Sequence, residues 1–194
     1  MSSKILIAFL IVCCSKAFGQ PNPVHNFKQI GWAIQLPTDF KVEDSASFES
    51  ERREGVLILE RSTNLNIGSV KTVTLITAQK NSENSFTATL VKSMAPNEHY
   101  WDSINNNTIR LFYKAMADQA PNLKLDSSRK IMTIDGLQFK EFIIELKING
   151  KLIIHSSALW KLYKNYTFSI SYTYNDELIG DDIKKMLSKS HFQK

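Results

Sequence analysis

The sequence predicts an α+β domain in which an antiparallel sheet of about six to seven strands is sandwiched with a long central helix and a C-terminal helix. Asp135-Gly136 and Asn149-Gly150 separate runs of strand-forming residues. Both dipeptides are strong hairpin signals, because a type I′ turn needs positive φ at its two central residues. Apolar residues recur at three- and four-residue spacing over 97–120, which is typical of an amphipathic helix. Acidic residues begin 176–190 and lysines end it, as the helix dipole favours.

The composition is that of an ordinary globular protein. The chain has 194 residues, of which 43% are hydrophobic and 22% are charged. These values exclude a disordered, collagen-like or many-pass membrane protein. A chain of this length buries roughly 70% of the surface that its unfolded form exposes, so one domain needs no metal or disulfide to fold.

The first 19 residues have the pattern of a secretory signal peptide. Lys4 supplies a positive charge, an apolar run covers 5–14, and Ala17, Phe18 and Gly19 form a small-x-small cleavage site. The run is shorter than the roughly twenty residues that a membrane-spanning helix needs. We therefore expect a secreted or periplasmic protein, cleaved after Gly19 and without a transmembrane segment.

A lipid anchor is the alternative interpretation of this N-terminal segment. Cys13 or Cys14 would then be the lipid acceptor of a bacterial lipoprotein, which would tether the domain to a membrane. Ile11 and Val12 argue against this alternative, because they stand where such signals usually have small residues.

Cleavage after Gly19 changes the charge of the chain. Lys4 and Lys16 leave with the signal, so 22 basic and 19 acidic residues remain, a net charge of +3, and no cysteine is left. Residues 20–26 contain two prolines and are predicted as a flexible leader before a single domain over 27–192.

Strands are predicted on both sides of the central helix. Before it they cover 32–36, 56–61, 70–79 and 86–94, with a loop over 41–54, and after it a meander covers 123–134, 137–148, 151–163 and 166–174. Asn97 is the expected helix cap and Pro121 the expected stop. The predicted apolar stripe of the helix consists of Trp101, Ile104, Thr108, Leu111, Phe112, Ala115 and Met116.

The segment 137–148 changes the phase of its apolar alternation, which predicts a β-bulge near Lys140-Glu141. The turn at 149–150 would then place Ile144 opposite His155 and Leu146 opposite Ile153. Apolar residues on both faces indicate a sheet that is covered on both sides. The acidic residues of the strand, Glu141 and Glu145, are interpreted with Lys147 as a charged outer face.

No common catalytic or metal-binding motif is present in the sequence. The four histidines, His25, His99, His155 and His191, form no zinc signature, and no nucleophile elbow or phosphate-binding glycine loop occurs. We therefore expect no metal and no cofactor. A net charge of +3 is too small for a nucleic-acid-binding patch. His155, Trp160 and Trp101 remain as candidate ligand-binding residues.

The order of elements and several local phrases resemble the PsbP-like superfamily. Gly31 to Phe40 is similar to the opening strand and corner of that family, Ile134 to Gly136 to its central turn, and 166–170 and 187–192 to its final strand and helix. The resemblance implies an α/β sandwich, usually without enzymatic activity. It implies no site residues, since the family shares no catalytic constellation.

These observations favour an exported, non-enzymatic binding or accessory protein. We expect it to bind a protein or a small-molecule ligand in a groove between the long helix and the curved sheet. The alternatives are a hydrolase-type enzyme with a site near His155 and a lipid-tethered surface subunit.

Overall fold

Ten strands and two helices form in the part of the chain that the computed structural model describes, namely residues 22–44, 71–93, 97–119 and 125–193 with Arg53 and Leu57. In chain order they are β1 (Val24–Phe27), β2 (Trp32–Gln35), β3 (Lys41–Val42), β4 (Thr72–Asn81), β5 (Asn84–Lys92), α1 (Glu98–Gln119), β6 (Leu125–Ile134), β7 (Leu137–Ile148), β8 (Lys151–Tyr163), β9 (Tyr166–Tyr174), α2 (Glu177–Lys189) and β10 (His191–Phe192). Neither helix is long and apolar enough to cross a membrane.

The strands form two antiparallel sheets. Seven of them make one sheet in the order β3-β4-β5-β9-β8-β7-β6, and β1, β2 and β10 make a small second sheet. Three strands separate β5 from β6 in the large sheet, so α1, which connects them, has to cross one face of that sheet. The predicted α+β class, with an antiparallel sheet and two helices, is confirmed.

The main core fills the other face of the large sheet. Side chains of β5, β8 and β9 pack there against the small sheet and against α2, whose buried residues are Gly180, Ile183, Met186 and Leu187. The largest fully buried side chains include Trp32, Tyr172, Tyr174, Phe86, Phe139 and Phe168. The even-numbered aromatic residues of β9 therefore have a packing role.

The hairpin turns agree with the sequence prediction. Asp135 and Gly136 have φ values of 46° and 76°, and Asn149 and Gly150 have φ values of 52° and 77°. These are the left-handed conformations that a two-residue hairpin requires. The strands on either side of the second turn begin and end at the predicted residues.

The predicted bulge near Lys140-Glu141 is wrong. Strand β7 pairs with β6 without interruption from Leu146 to Leu137, and the register shift lies next to the second turn, between Leu146 and Lys147. Consequently Glu145 lies opposite His155, and Leu146 lies opposite Ile154.

The phase of the apolar residues in β7 changes because both faces of the strand are covered. Phe142 and Ile144 are buried on the α1 side, and Ile143 is buried on the core side. Glu141 lies on the core side as well and is only 6% exposed. The interpretation of Glu141 as part of an outer charged face is therefore wrong.

The predicted flexible leader is wrong over 22–26. Val24–Phe27 is strand β1, which pairs with β2, and the Asn22 side-chain amide donates to the carbonyl oxygens of Pro37 and Phe40 at 2.6 and 3.0 Å. A four-residue strand between a proline and a turn carries too little periodicity to be recognised in the sequence.

Helix α1 begins where the sequence predicts, since the Asn97 side chain accepts a hydrogen bond from the Tyr100 backbone N–H at 2.8 Å. The predicted apolar stripe of this helix is partly wrong, because Ile104 is 44% exposed while Asn105 is buried. The buried positions that the structure describes are Trp101, Asn105 and Ile109, one helical turn apart.

Two predictions lie outside the described residues. They are the signal peptide with its alternative lipid acceptors, Cys13 and Cys14, and the strand over 56–61 apart from Leu57, which is helical.

Gly180→Ala tests how closely α2 packs on the sheet. A Cβ atom at position 180 would lie 2.5 Å from Cζ of Tyr174, which is far inside van der Waals contact. Alanine favours a helix over glycine by about 1 kcal/mol, but overpacking of this kind costs about 2 kcal/mol or more. We expect a net loss of stability in urea unfolding.

Ser188→Ala, at an exposed position of the same helix, serves as the control and should leave stability nearly unchanged. In a Tyr174→Leu background the clash is removed, so Gly180→Ala should no longer destabilise the protein. An equal loss in both backgrounds would contradict the packing explanation.

Candidate functional site

A groove forms where α1 crosses the outer face of the large sheet. The helix is attached near its start by the Trp101 indole, which donates to the Thr167 hydroxyl of β9 at 2.9 Å. Near its end, the Tyr113 hydroxyl donates to the Leu125 carbonyl of β6 at 3.2 Å. Between these attachments an ion pair joins Asp102 to Lys140. The helix thus spans the sheet obliquely and leaves space above β6 and β7.

Two cavities make up this groove. The larger one, of about 610 Å³, is lined by Asn106, Asn107, Ile109, Arg110, Tyr113, Ser127, Ser128, Arg129 and Phe142. The smaller one, of about 220 Å³, is lined by Asp102, Asn105, Asn106, Ile109, Arg129, Lys130, Ile131, Lys140, Glu141 and Trp160. Both volumes share Asn106, Ile109 and Arg129, so they adjoin along one side of the helix. We call this continuous space the α1–β6 groove.

Asn105 carries a hydrogen-bond donor that is unused among the described residues. The residue is only 8% exposed and lines the smaller cavity, and within the described part of the chain its Nδ2 atom has no hydrogen-bond partner. Burial of an amide N–H without an acceptor costs about 1 to 3 kcal/mol. Such a group in a native fold needs an explanation, and an acceptor supplied by a ligand is one.

The electrostatic character of the groove is positive. The Arg129 guanidinium donates to the Asn106 side-chain oxygen at 3.1 Å, and in the described part of the chain neither Arg129 nor Arg110 forms an ion pair with a carboxylate. Of the two acidic residues that line the groove, Asp102 is neutralised by Lys140. The other, Glu141, directs its carboxylate to the opposite face of the sheet.

Glu141 belongs to a buried polar cluster on the core side. Its Oε1 atom accepts hydrogen bonds from the Ser157 hydroxyl at 2.5 Å and from the Tyr172 hydroxyl at 2.9 Å. Burial raises the pKa of Tyr172 above its usual range, and the adjacent Glu141 carboxylate acts in the same direction. The cluster therefore satisfies a carboxylate inside the core, and it explains why two polar side chains are buried beside it.

The three candidate binding residues from the sequence lie in two separate places. Trp160 lines the smaller cavity of the groove. Trp101 lies beside it at the start of α1, buried under the Lys140 ammonium, which is 5.5 Å from the ring centroid. His155 lies on the core face of β8, so the sheet separates it from both tryptophans.

His155 is held in the core by aromatic rings and one carboxylate. It is 4% exposed, its imidazole stacks on Tyr174 with 4.3 Å between centroids, and its Nδ1 lies 3.0 Å from a Glu145 carboxylate oxygen. Neither of the two cavities that make up the α1–β6 groove is lined by His155. The described residues also contain no group of three metal-ligating side chains placed to hold a metal ion.

Sequence reasoning missed Asn105, Arg110 and Arg129. One signal was available, because three consecutive asparagines at 105–107 are poor helix formers in the middle of a long helix. Local propensity is often violated at functional sites. Arg110 and Arg129 carry no such signal, since surface arginines are common.

The burial of His155 makes stability depend on pH. Burial lowers its pKa, and the nearby Lys184 ammonium acts in the same direction, while Glu145 and Glu141 oppose the shift. The folded protein therefore binds fewer protons here than the unfolded chain does. The stability that this histidine contributes is complete above about pH 6.5, the ordinary value, and is lost as the pH falls towards the lowered pKa.

His155→Asn should reduce this dependence. We expect the free energy of unfolding of the wild type to fall between pH 7.5 and pH 5 and the slope of that fall to be smaller in the variant. His25, whose pKa is also lowered by burial, contributes to the slope in the same direction. The control is His99→Asn, at an exposed position. Equal slopes in the wild type and His155→Asn would show that this histidine does not titrate as argued.

Comparison with known proteins assigns the fold. No family model and no curated protein matches the chain. The solution structure of cyanobacterial PsbP (CyanoP) from Synechocystis is similar, with a TM-score of 0.54 and 7% sequence identity over 93% of this chain and 97% of that one.

A second similar structure is LpqN, involved in cell envelope biogenesis of Mycobacterium tuberculosis. It has a TM-score of 0.43 and 11% identity over 91% of this chain and 88% of that one, and this lower score adds nothing to the assignment. The sequence phrases around 31–40, 134–136 and 187–192 indicated the same result. The chain has a PsbP-like fold.

Proposed function

We propose that the protein is an exported, non-enzymatic binding domain that holds an anionic ligand in the α1–β6 groove. The proposal depends above all on Asn105, which lines the smaller cavity and whose buried Nδ2 atom is a hydrogen-bond donor without a partner in the described part of the chain. Arg129 and Arg110 place positive charge beside that donor. A ligand with an anionic oxygen would satisfy the donor and the charge together.

The walls of the groove also fit an apolar part of the same ligand. Ile109 and Phe142 belong to a small cluster of buried apolar residues under α1, and Tyr113 and Trp160 pack against it. Ligand sites commonly combine such walls with a few placed polar groups. An anion attached to an apolar or aromatic body is therefore the ligand class that the groove favours.

The alternative of a hydrolase near His155 receives less support from the contacts. A general base has to come within hydrogen-bond reach of a substrate proton. The imidazole of His155 is instead covered by Tyr174, and Glu145 is its one hydrogen-bond partner among the residues that the structure describes. The nearby Ser157 donates to Glu141, so this serine is not activated by the histidine.

Binding of an anionic aromatic probe tests the proposal. We expect 8-anilinonaphthalene-1-sulfonate to bind the purified domain saturably, as followed by its fluorescence, and Arg129→Gln to weaken binding by about tenfold, the effect of losing one charge-assisted hydrogen bond. The uncharged N-phenyl-1-naphthylamine, which has the same ring system, should bind more weakly and should not respond to this substitution.

Lys80→Gln is the matched control for that experiment. Lys80 pairs with Asp39 at 2.9 Å and lines a different cavity, of about 400 Å³, between the segment 35–40 and α2. It should leave the affinity for the anionic probe unchanged. Equal effects of the two substitutions, or no effect of Arg129→Gln, would argue against the groove as the anion site.

Export is tested by the mass of the mature protein. We expect expression of the full chain with its own N-terminal segment to yield a secreted or periplasmic product that begins at Gln20 and carries no lipid. Intact-mass spectrometry measures both properties. A membrane-bound product with a diacylated Cys13 or Cys14 would support the lipid-tethered alternative instead.

A further inference from the structure

The outer edge of strand β6 borders the α1–β6 groove. Among the strands that the structure describes, β6 is at the end of the seven-stranded sheet and pairs with β7 alone. Nine of the ten positions in Leu125–Ile134 are at least partly exposed. An edge strand of this length presents a row of backbone N–H and C=O groups on which another chain can pair.

The hairpin turn determines which backbone groups of β6 point outward. In a two-residue hairpin the residues that flank the turn, here Ile134 and Leu137, exchange hydrogen bonds, and the bonded pairs then alternate along the strands. The N–H and C=O groups of positions 133, 131, 129, 127 and 125 therefore point away from β7. The contact from Tyr113 to the Leu125 carbonyl agrees with this alternation, because that carbonyl belongs to the outward set.

Four consecutive outward positions, namely Ser127, Arg129, Ile131 and Thr133, have no hydrogen bond to their backbone groups from any residue that the structure describes. Their side chains face α1, as the hydrogen bond from Arg129 to Asn106 shows. One of these side chains, that of Ile131, is apolar and 57% exposed, and a neighbouring strand would cover it.

The charges along this edge restrict which strand could pair there. Arg129 of β6 faces α1, where Arg110 lies across the groove, while Lys130 and Asp126 of the same strand lie on the other face of the sheet. Charged edges disfavour pairing with purely apolar strands. Complementary charges favour an acidic one.

We propose that the partner is an acidic, extended segment of another protein, which adds to β6 as an antiparallel strand. This inference rests on the proposed function and names the ligand class for the same groove. A partner residue opposite Arg129 would direct its side chain towards α1, so a carboxylate at that position would lie between Arg129 and Arg110. Two residues further along the partner, an apolar side chain would cover Ile131. Backbone hydrogen bonds would supply affinity, and these alternate side chains would supply specificity.

Synthetic peptides test strand addition directly. The probe is a short capped peptide in which every second residue is threonine and the residues between are alternately glutamate and valine. We expect calorimetric titration to detect binding of this peptide to the wild-type domain and about tenfold weaker binding to the Arg129→Gln variant. A peptide with lysine in place of glutamate should bind the wild-type domain much more weakly than the glutamate peptide does.

N-methylation separates strand addition from binding by charge alone. Methyl groups on the glutamate and valine nitrogens remove the donors that would face β6, whereas methyl groups on the threonine nitrogens remove donors that face away. We expect the first peptide to lose binding and the second to keep it. Equal affinities of the two methylated peptides, or equal binding of the lysine peptide, would overturn the inference.

Substitution of the edge strand gives the complementary measurement. Ile131→Pro removes an outward N–H without removing a bond to β7, so the strand tolerates it at this position. It should abolish peptide binding, whereas Ile131→Thr, which keeps the N–H, should only weaken it. If the proline variant fails to fold, the methylated peptides on the wild-type domain still decide the question.

The anionic probe distinguishes this inference from the proposed function. Binding of the aromatic sulfonate without binding of the acidic peptide would overturn strand addition and leave the groove as an anion site. Failure of both would overturn the proposed function as well.

Discussion

The connection between β5 and β6 is the constraint on which the rest of the structure depends. These strands lie on opposite sides of β9, β8 and β7, so the chain between them must cross the sheet, and α1 does so. The crossing covers one face of β7 and β8, while α2 and the small sheet cover the other face. Because a straight helix crosses a twisted sheet obliquely, contact is close at Trp101 and open towards β6.

Coverage of both faces also determines where polar side chains are placed. Along β7, successive residues point alternately to the helix layer and to the main core, and neither direction leads to bulk water in the middle of the strand. Inside the core, Glu141 therefore accepts from Ser157 and Tyr172, and His155 contacts Glu145 through Nδ1, while its Nε2 has no partner among the described residues. The positive groups of the groove lie at the periphery, where α1 diverges from the sheet and a ligand has access.

The sequence predicted structure that depends on neighbouring residues, but it did not predict contacts between residues far apart in the chain. It predicted the turns at Asp135 and Asn149 and the helix cap at Asn97, because each depends on a few neighbouring residues. The register at His155 was not, because it depends on a shift beside the turn that no residue type marks. Of the residues in the candidate site, the sequence predicted Trp160, because it is an aromatic residue in a strand. It did not predict Asn105 and Arg129, because these two residues come together only where α1 crosses the sheet.

The small sheet is completed by the last strand of the chain, β10. β10 pairs with β2, Phe192 packs in the main core, and the Phe192 backbone N–H donates to the Asp135 side chain at 2.6 Å. Strand β2 thus acquires its second neighbour only when residues about 160 positions later in the sequence are in place. Strand β1 can pair with β2 as soon as the first strands are available, but the small sheet is complete only when β10 is present. Because pairing between residues far apart in the sequence is slow, we expect the small sheet to close after the local hairpins of the large sheet have formed.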